Sequence, residues 1–148
     1  MIAKQLCGER LAAVCSPAMQ TKITQVSDLF DQPLLYNVAV MSEWREWFEA
    51  QQLIYREPAA SFEFQNTSQI LDACLSGAGV ALIDPLMIKQ HLSQGDLVNI
   101  FDSSVESLRS YFIVYPERYQ QQDNIQVFEQ WIINKMADDP LMLDRLPV

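Results

Sequence analysis

Three consecutive polar residues, Asn66, Thr67 and Ser68, are the side chains in this sequence best suited to bind a small polar ligand. Each carries an oxygen that can accept a hydrogen bond from the first N–H groups of a helix, so each is a candidate N-cap. The same N–H groups attract anions, because the helix dipole gives this end a partial positive charge. We predict that one of the three caps a helix and that the group binds a ligand; the structural alternative is capping alone.

The residues on either side of this polar run predict a strand–helix–strand unit. Phe62 and Phe64 alternate with polar residues, as the side chains of a half-buried strand do. A stripe of apolar residues at helical spacing follows the polar run: Ile70, Leu71, Cys74 and Leu75. Gly77 and Gly79 permit a tight turn into residues 80–83, which are apolar enough for a buried strand. The polar run therefore lies at the carboxyl edge of a strand, where open α/β sheets bind small ligands.

Strands and helices alternate along the rest of the chain. The predicted strands cover residues 11–15, 34–38, 61–64, 80–83, 97–101 and 108–115. The predicted helices cover residues 25–30, 44–51, 67–76, 85–92 and 124–136. This alternation is typical of an α/β fold, here a mixed sheet with helices on both faces. In the second helix we expect Trp47 in the core, whereas Trp44 could lie in the core or at an interface.

The charge of the chain argues against a nucleic-acid surface. Ten basic residues stand against nineteen acidic ones in 148 residues, which gives a formal net charge of −9. The basic residues are scattered, whereas a phosphate-binding surface is a basic patch or stripe. No apolar run approaches the roughly 20 residues of a membrane span, and the N-terminus lacks the apolar region of an export signal. We therefore expect a cytoplasmic protein whose residues here bind neither DNA nor a membrane.

Few residues of the chain are suited to catalysis or metal binding. Cys7, Cys15 and Cys74 are far apart in the sequence, and His91 is the one histidine. A zinc site needs about four clustered ligands, and a cysteine nucleophile needs a nearby base. We expect Cys15 and Cys74 to be packed, reduced thiols; the alternative is a catalytic Cys15. Phosphate-loop and nucleophile-elbow motifs are absent from the sequence, so we expect no enzyme, no metal and no cofactor.

Six landmarks occur in one order between residues 9 and 137. They are Leu11-Ala12-Ala13-Val14-Cys15-Ser16-Pro17, Asp28-Leu29 with Pro33-Leu34-Leu35, Trp44-Arg45-Glu46-Trp47-Phe48, Gly95-Asp96-Leu97-Val98, Tyr111-Phe112-Ile113-Val114-Tyr115-Pro116, and Phe128 with Trp131. The order resembles the effector-binding domain of LysR-type transcriptional regulators, in particular the subgroup around the glycine-cleavage-system activator. Each landmark is weak alone, and the combination is specific.

The resemblance implies a type II periplasmic-binding-protein-like subdomain and a division of the chain. The resemblance implies that residues 1–17 are a crossing strand from a first subdomain and that residues 18–108 are the second effector-binding subdomain. Residues 109–138 are a returning strand with a C-terminal helix, and residues 139–148 are a loose tail. The winged helix-turn-helix, linker helix and first subdomain of such regulators are not in this sequence, so the resemblance also implies a C-terminal fragment.

The same resemblance implies a function and one further site residue. The chain would sense a small polar or acidic metabolite effector for a regulator that contacts DNA only through its missing N-terminal domain. Ser16, at the end of the crossing strand, would point into the effector cleft that residues 66–68 also line. The alternative for Ser16 is a turn residue in front of Pro17. The alternative function is a stand-alone small-molecule binding module without DNA-binding activity.

An oligomer is also expected from the resemblance. In such regulators the helix that carries Phe128 and Trp131 packs on the first subdomain, so here these side chains would be exposed or would find a substitute partner. Exposed apolar patches and unpaired strand edges recruit another chain. We therefore expect a homodimer or a higher, strand-exchanged oligomer.

Overall fold

The structure is a computed structural model that describes residues 1–142 and 144–147. Its strands are β1 (Ile2–Cys15), β2 (Pro33–Asn37), β3 (Ala60–Phe64), β4 (Ala81–Ile83), β5 (Val98–Asn99) and β6 (Val105–Tyr115). Its α-helices are α1 (Pro17–Gln20), α2 (Glu43–Ala50), α3 (Thr67–Leu75), α4 (Lys89–Gln94) and α5 (Asp123–Ala137). Short 3₁₀ helices cover Val26–Asp31, Val38–Val40, Pro85–Ile88, Glu117–Tyr119 and Pro140–Met142.

The chain divides into two compact units, which we call the central unit and the terminal unit. The central unit is Arg10–Val105, and the terminal unit combines Met1–Glu9 with Glu106–Val148. Strand β1 therefore contributes residues to both units. Among the described residues, no helix has the length and apolar character that crossing a membrane requires.

One mixed sheet forms the middle of the central unit. β2 and β3 pair in parallel, with Leu34 opposite Ser61 and Tyr36 opposite Glu63. β4 lies on the other side of β2, joined by a parallel bridge between Leu34 and Val80, the residue that precedes β4. β1 pairs antiparallel with β4 and with β5. The strand order is therefore β3–β2–β4–β1–β5, and β1 runs opposite to the strands beside it.

Alternate residues of these strands face two hydrophobic cores. In one core, residues of β1, β2 and β4 pack with α2: Leu11, Ala13, Cys15, Leu34, Tyr36, Val80, Leu82, Trp44, Trp47 and Phe48. In the other, the intervening strand residues pack with α3 and the chain beyond it: Ala12, Val14, Leu35, Ala81, Ile83, Ile70, Cys74 and Ile88. Because successive side chains of a strand point to opposite faces, α2 and α3 cover opposite faces of the sheet. The predicted mixed sheet with helices on both faces is confirmed.

Both tryptophans of α2 lie in the core. Trp44 and Trp47 are 1% and 2% exposed, and with Phe48 they form the apolar stripe at helical spacing that buries the helix against the sheet. The Trp44 indole Nε1 also donates a hydrogen bond to the Leu35 carbonyl oxygen at 2.9 Å. The expectation for Trp47 is confirmed, and the structure decides the open alternative for Trp44 in favour of the core.

Several element boundaries differ from the sequence expectation. β1 begins at Ile2 and not at residue 11, because it also pairs with β6 and such pairing needs no alternating apolar pattern. The helix expected over residues 85–92 is a 3₁₀ helix, Pro85–Ile88, followed by α4. The strand expected over residues 97–101 is reduced to the two residues of β5. The length of each element was therefore less predictable than its type.

In the terminal unit, an ion pair joins β1 to α5. The Lys4 ammonium donates a hydrogen bond to the Glu129 carboxylate, which also accepts one from the Tyr115 hydroxyl at 3.0 Å. The bond from Lys4 is the main cause that lowers the pKa of Glu129. Met142 and Arg145 are buried, and the Gly8 N–H donates to the Arg145 carbonyl oxygen at 3.0 Å. These contacts differ from the loose tail expected for this segment.

The terminal unit exposes several large apolar side chains. Phe128 and Trp131 of α5 are 48% and 55% exposed, and their ring centroids lie 5.7 Å apart. Leu108, Phe112 and Val114 of β6 are exposed as well. Phe128 and Trp131 are therefore exposed on the isolated chain, and a substitute partner on another chain stays a prediction.

Candidate functional site

The N-terminus of α3 is built by reciprocal side-chain caps. Asn66 has an extended backbone (φ −156°, ψ 166°), and its Oδ1 accepts a hydrogen bond from the Gln69 N–H at 3.1 Å. The Gln69 Oε1 in turn accepts one from the Gln65 N–H at 3.0 Å. Asn66 is thus the N-cap among the three candidates, and the side-chain oxygens of Asn66 and Gln69 are both used by the backbone.

Thr67 and Ser68 differ from Asn66 in that their polar groups are not used. Both residues are exposed, and within the described part of the chain their hydroxyls make no hydrogen bond. Their N–H groups are the first of α3, and such groups have no acceptor inside the helix. The helix N-terminus therefore offers two hydroxyls and two N–H donors to a bound molecule, in the partial positive field of the helix.

The same edge of the sheet carries other polar residues. β2, β3 and β4 run in one direction, so their carboxyl ends meet at the edge where α3 begins. Asn37 ends β2, and its Oδ1 accepts from the Ala39 N–H at 3.0 Å. Asp84 follows β4, is 3% exposed, and caps the next helix through the Leu86 N–H at 3.0 Å. The side chains of Asn37 and Asp84 therefore both serve local structure.

Arg10 is a residue of this edge that the sequence reasoning missed. Because β1 runs antiparallel to β4, Arg10 lies where β4 ends, and its N–H donates to Asp84 Oδ2 at 3.1 Å. Its guanidinium donates from Nε to Ser104 Oγ at 2.9 Å and from Nη2 to the Ser104 carbonyl oxygen at 3.3 Å. Arg10 and the Asp84 carboxylate therefore both lie at the edge that the carboxyl ends share. Arg10 lies at this edge because β1 pairs antiparallel with β4. The sequence alone does not reveal that pairing.

Ser16 lies elsewhere in the central unit. It follows the carboxyl end of β1, which is paired with the start of β4, and a Cβ at Gly77 would be 3.6 Å from the Ser16 Oγ. Gly77 follows the C-terminal end of α3, so Ser16 and Thr67 lie at opposite ends of that helix. The Ser16 carbonyl oxygen accepts from the Met19 N–H at 3.1 Å, where Pro17 opens α1. The structure thus brings residues 66–68 together and does not bring Ser16 to them.

A match to a protein-family model identifies the family of this chain. The model described as the LysR substrate binding domain matches residues 1–137, which is most of the chain. The chain belongs to the LysR substrate-binding domain family. The resemblance drawn from the six landmarks is therefore confirmed.

Two relatives show how much of a longer protein the LysR substrate-binding domain spans. The uncharacterized HTH-type transcriptional regulator y4mQ of Sinorhizobium fredii is 28% identical over 134 residues, which cover 89% of this chain and 45% of that protein. The glycine cleavage system transcriptional activator of Escherichia coli is 27% identical over 137 residues, which cover 90% of this chain and 45% of that protein. The chain therefore spans about half the length of the curated relatives it matches.

Solved structures confirm the fold of this LysR domain. The AmpR effector binding domain from Citrobacter freundii aligns with a TM-score of 0.84 at 24% identity, covering 93% of this chain and 68% of that one. The AmpR effector domain from Pseudomonas aeruginosa aligns with a TM-score of 0.80 at 24% identity, covering 90% of this chain and 64% of that one. The predicted effector-binding-domain fold, of the periplasmic-binding-protein-like type, is thus confirmed.

The thiols of the LysR domain are packed in its core. Cys15 and Cys74 are fully buried, and the Cys74 Sγ donates to the Val14 carbonyl oxygen at 3.5 Å. Burial raises the pKa of Cys15 to about 11. Burial, with the charge of Cys15 as a smaller cause, raises the pKa of Cys74 to about 12. Neither thiol ionises near neutral pH, and nucleophilic chemistry at cysteine requires the thiolate.

Proposed function

We propose that this chain is the effector-sensing portion of a LysR-type DNA-binding transcriptional regulator and that it binds a small polar or acidic metabolite at the N-terminus of α3. The observation that carries the proposal is the pair of exposed hydroxyls, Thr67 and Ser68, which have no partner among the described residues. They stand beside unused N–H donors at the carboxyl edge of the sheet. A carboxylate or hydroxyl group of an effector would accept and donate hydrogen bonds there, with Asn66 holding the helix end in shape.

The field at the N-terminus of α3 favours an acidic effector. The N-terminus of α3 carries the partial positive charge of the helix dipole. Arg10, which is fixed on Ser104 through two of its nitrogens, lies at the same edge of the sheet beside the Asp84 carboxylate. The helix dipole has the sign that stabilises an anion, although the chain as a whole carries a net charge of −9.

We propose that these residues act by binding and not by catalysis or DNA contact. The relatives are transcriptional regulators, and the buried thiol of Cys15, whose pKa is raised, supports no nucleophilic role. The scattered basic residues favour DNA contact by another part of such a regulator, acting in the cytoplasm. The effector would regulate by binding more tightly to one of two conformations of the regulator, which shifts their populations.

The effector site is tested by titrating the chain with a panel of small carboxylic acids and following its amide resonances by NMR. We expect a responding acid to shift the amides of Thr67 and Ser68 first. Thr67→Val and Ser68→Ala should each lower the affinity for that acid by roughly tenfold, because each removes one hydrogen bond to a charged group. Thr21→Val is the matched control, because its exposed hydroxyl donates to the Ala18 carbonyl oxygen at the end of α1.

Two results would contradict the proposed site. One is an acid that binds the chain with no shift at the start of α3. The other is a Thr67→Val chain that binds with the affinity of the parent. Because Thr67 is exposed, its replacement should leave the free energy of unfolding within about 0.5 kcal/mol of the parent, so a loss of binding could not be attributed to unfolding.

We further propose that the exposed apolar residues of the terminal unit pair two copies of this chain. The support is the exposure of Phe128, Trp131 and the three apolar residues of β6 described above. Light scattering should give the mass of a dimer, and Trp131→Gln should shift the chain towards the monomer. Met87→Gln, which replaces an exposed apolar residue of the central unit, should leave the dimer unchanged. A parent chain that scatters as a monomer would refute this pairing.

A further inference from the structure

A concavity lies on the face of the sheet that α2 covers, away from α3. Its volume is about 270 Å³, and polar side chains from β2, α2, the following loop and β3 line it: Tyr36, Arg45, Tyr55, Glu57, Ser61 and Glu63. The strand register explains why the residues of β2 and β3 meet, since Glu63 lies opposite Tyr36. Tyr36 belongs to the core packed with α2, whereas α3 packs in the other core. The concavity is therefore on the opposite face from the helix that begins at Thr67.

Two tyrosines form the floor of this concavity. Their hydroxyl oxygens lie 2.7 Å apart, so one phenol donates to the other. The accepting phenol keeps its own O–H, which is then available to a ligand. Burial is the main cause that raises the pKa of Tyr36 well above its usual range; Glu57 raises it further and Arg45 lowers it. Tyr36 therefore keeps its proton, and charges of both signs act on its hydroxyl.

Three charged side chains line the concavity without neutralising one another. The Arg45 Cζ lies 4.8 Å from the centre of the Tyr55 ring, and this cation–π contact orients the guanidinium. In the part of the chain that the structure describes, Arg45, Glu57 and Glu63 make no ion pair. The concavity thus presents one positive and two negative groups whose charges remain available to a bound molecule.

These charges discriminate between ligand classes. A simple anion would be repelled by Glu57 and Glu63, and a simple cation would leave the Arg45 guanidinium without a partner. A molecule with both charges can place its carboxylate against Arg45 and the free phenolic O–H, and its ammonium against the glutamates. The volume lies just below the roughly 300–1,000 Å³ of pockets for drug-sized ligands, so the molecule must be small.

We propose that this concavity is a second ligand site, separate from the N-terminus of α3, that binds a small zwitterion of the α-amino-acid class. Arg45 contacts the carboxylate, and Glu57 and Glu63 contact the ammonium. The Tyr36–Tyr55 pair supplies the remaining hydroxyl donor.

The test is an NMR titration of the whole chain with a panel of α-amino acids at millimolar concentrations. Each responding amino acid is compared with analogues that lack its amino or its carboxyl group, for example alanine with propionate and ethylamine. We expect the amino acid to shift the amides of Arg45 and Glu63 and each analogue to bind at least about tenfold more weakly. The proposal fails if no amino acid shifts these amides or if an analogue binds as well as the amino acid.

Matched variants separate the concavity from the rest of the surface. Arg45→Gln and Glu63→Gln should each lower the affinity for the amino acid by roughly tenfold. Arg56→Gln is the control for the first, because its Cζ also lies over a ring, 4.6 Å from the centre of Phe30, outside the concavity. Glu49→Gln, an exposed glutamate of α2, is the control for the second. Equal affinities in the parent and the Arg45→Gln chain would overturn the proposal.

The same experiment can refute either proposed site without refuting the other. Thr67→Val should leave the affinity for the amino acid unchanged, because the two sites lie on opposite faces of the sheet. If the Thr67→Val chain also no longer bound the amino acid, the amino acid would bind at the start of α3. The proposal of a second site would then be refuted.

Discussion

Gly79 stands where β4 is joined to β2, and replacing it with alanine should loosen the central sheet. A Cβ at this position would lie 2.6 Å from the Pro33 carbonyl oxygen and 2.8 Å from the Leu35 Cδ2. The Pro33 oxygen cannot move freely, since it accepts a hydrogen bond from the Val80 N–H at 2.9 Å. The added methyl group must therefore push β2 away from β4 or rotate the turn that precedes β4.

The structure sets the size of the expected loss. Overpacking of this kind costs about 1–3 kcal/mol. The displacement also weakens two hydrogen bonds between the strands, from Val80 N to Pro33 O and from Leu35 N to Val80 O, each 2.9 Å long and each worth about 1 kcal/mol. We expect Gly79→Ala to lower the free energy of unfolding by about 2–4 kcal/mol, a large part of the roughly 5–15 kcal/mol of a typical domain.

Urea unfolding followed by tryptophan fluorescence measures this loss in the right part of the chain. Trp44 and Trp47 are buried in the central unit, so their emission should report the sheet that Gly79 supports. Gly8→Ala is the matched control, because no atom lies within 4 Å of a Cβ there and its backbone is not left-handed. We expect Gly8→Ala to be neutral or slightly stabilising. A Gly79→Ala chain that unfolds at the same urea concentration as Gly8→Ala would refute the reasoning.

Three other predictions follow from single contacts. Asn66→Ala should cost about 1 kcal/mol of unfolding free energy by removing the N-cap, whereas Asn66→Asp should keep it; urea titration of both variants distinguishes a cap from an incidental contact. Trp44→Phe should cost at least about 1 kcal/mol more than Trp47→Phe, because the Trp44 indole N–H bonds to a carbonyl and that of Trp47 has no partner among the described residues; equal losses would contradict this. The pKa of Glu129 is lowered below 4.5, first by the hydrogen bond from Lys4, so its contribution to stability is present above that pH and is lost as the pH falls through the lowered value. Glu129→Gln should therefore flatten the acid side of the curve of stability against pH, and an unchanged curve would show that the pair contributes nothing.

The strand–helix–strand unit around α3 could be predicted from the sequence because its signals are local. Alternation at Phe62 and Phe64, the apolar stripe of the helix and the turn at Gly77, whose φ is 82°, each depend on neighbouring residues. The cap at Asn66 is local in the same way. Such signals survive in the fold because the tertiary contacts reinforce them.

The position of β1 could not be predicted because its direction is not a local property. The sequence marks an apolar strand before Ser16, but an antiparallel and a parallel strand have similar patterns once both faces are buried. Because β1 pairs antiparallel with β4, the end of β1 lies at the edge opposite residues 66–68. Arg10 lies at the same edge as residues 66–68. One unpredicted strand direction therefore explains both the separation of Ser16 and the missed arginine.

The two proposed sites share the β2–β3 pair, and the geometry of that pair bears on whether they communicate. Tyr36 points to the face of α2, whereas the next residue, Asn37, ends β2 at the edge where α3 begins. No hydrogen bond of the described residues joins the Tyr36–Tyr55 pair to Thr67 or Ser68. Coupling between the sites would need an element with two arrangements that both ligands bias, and β2 is held in its register by β3 and β4. We therefore expect the effects of Thr67→Val and Arg45→Gln on the two ligands to add in the double variant, as independent sites do.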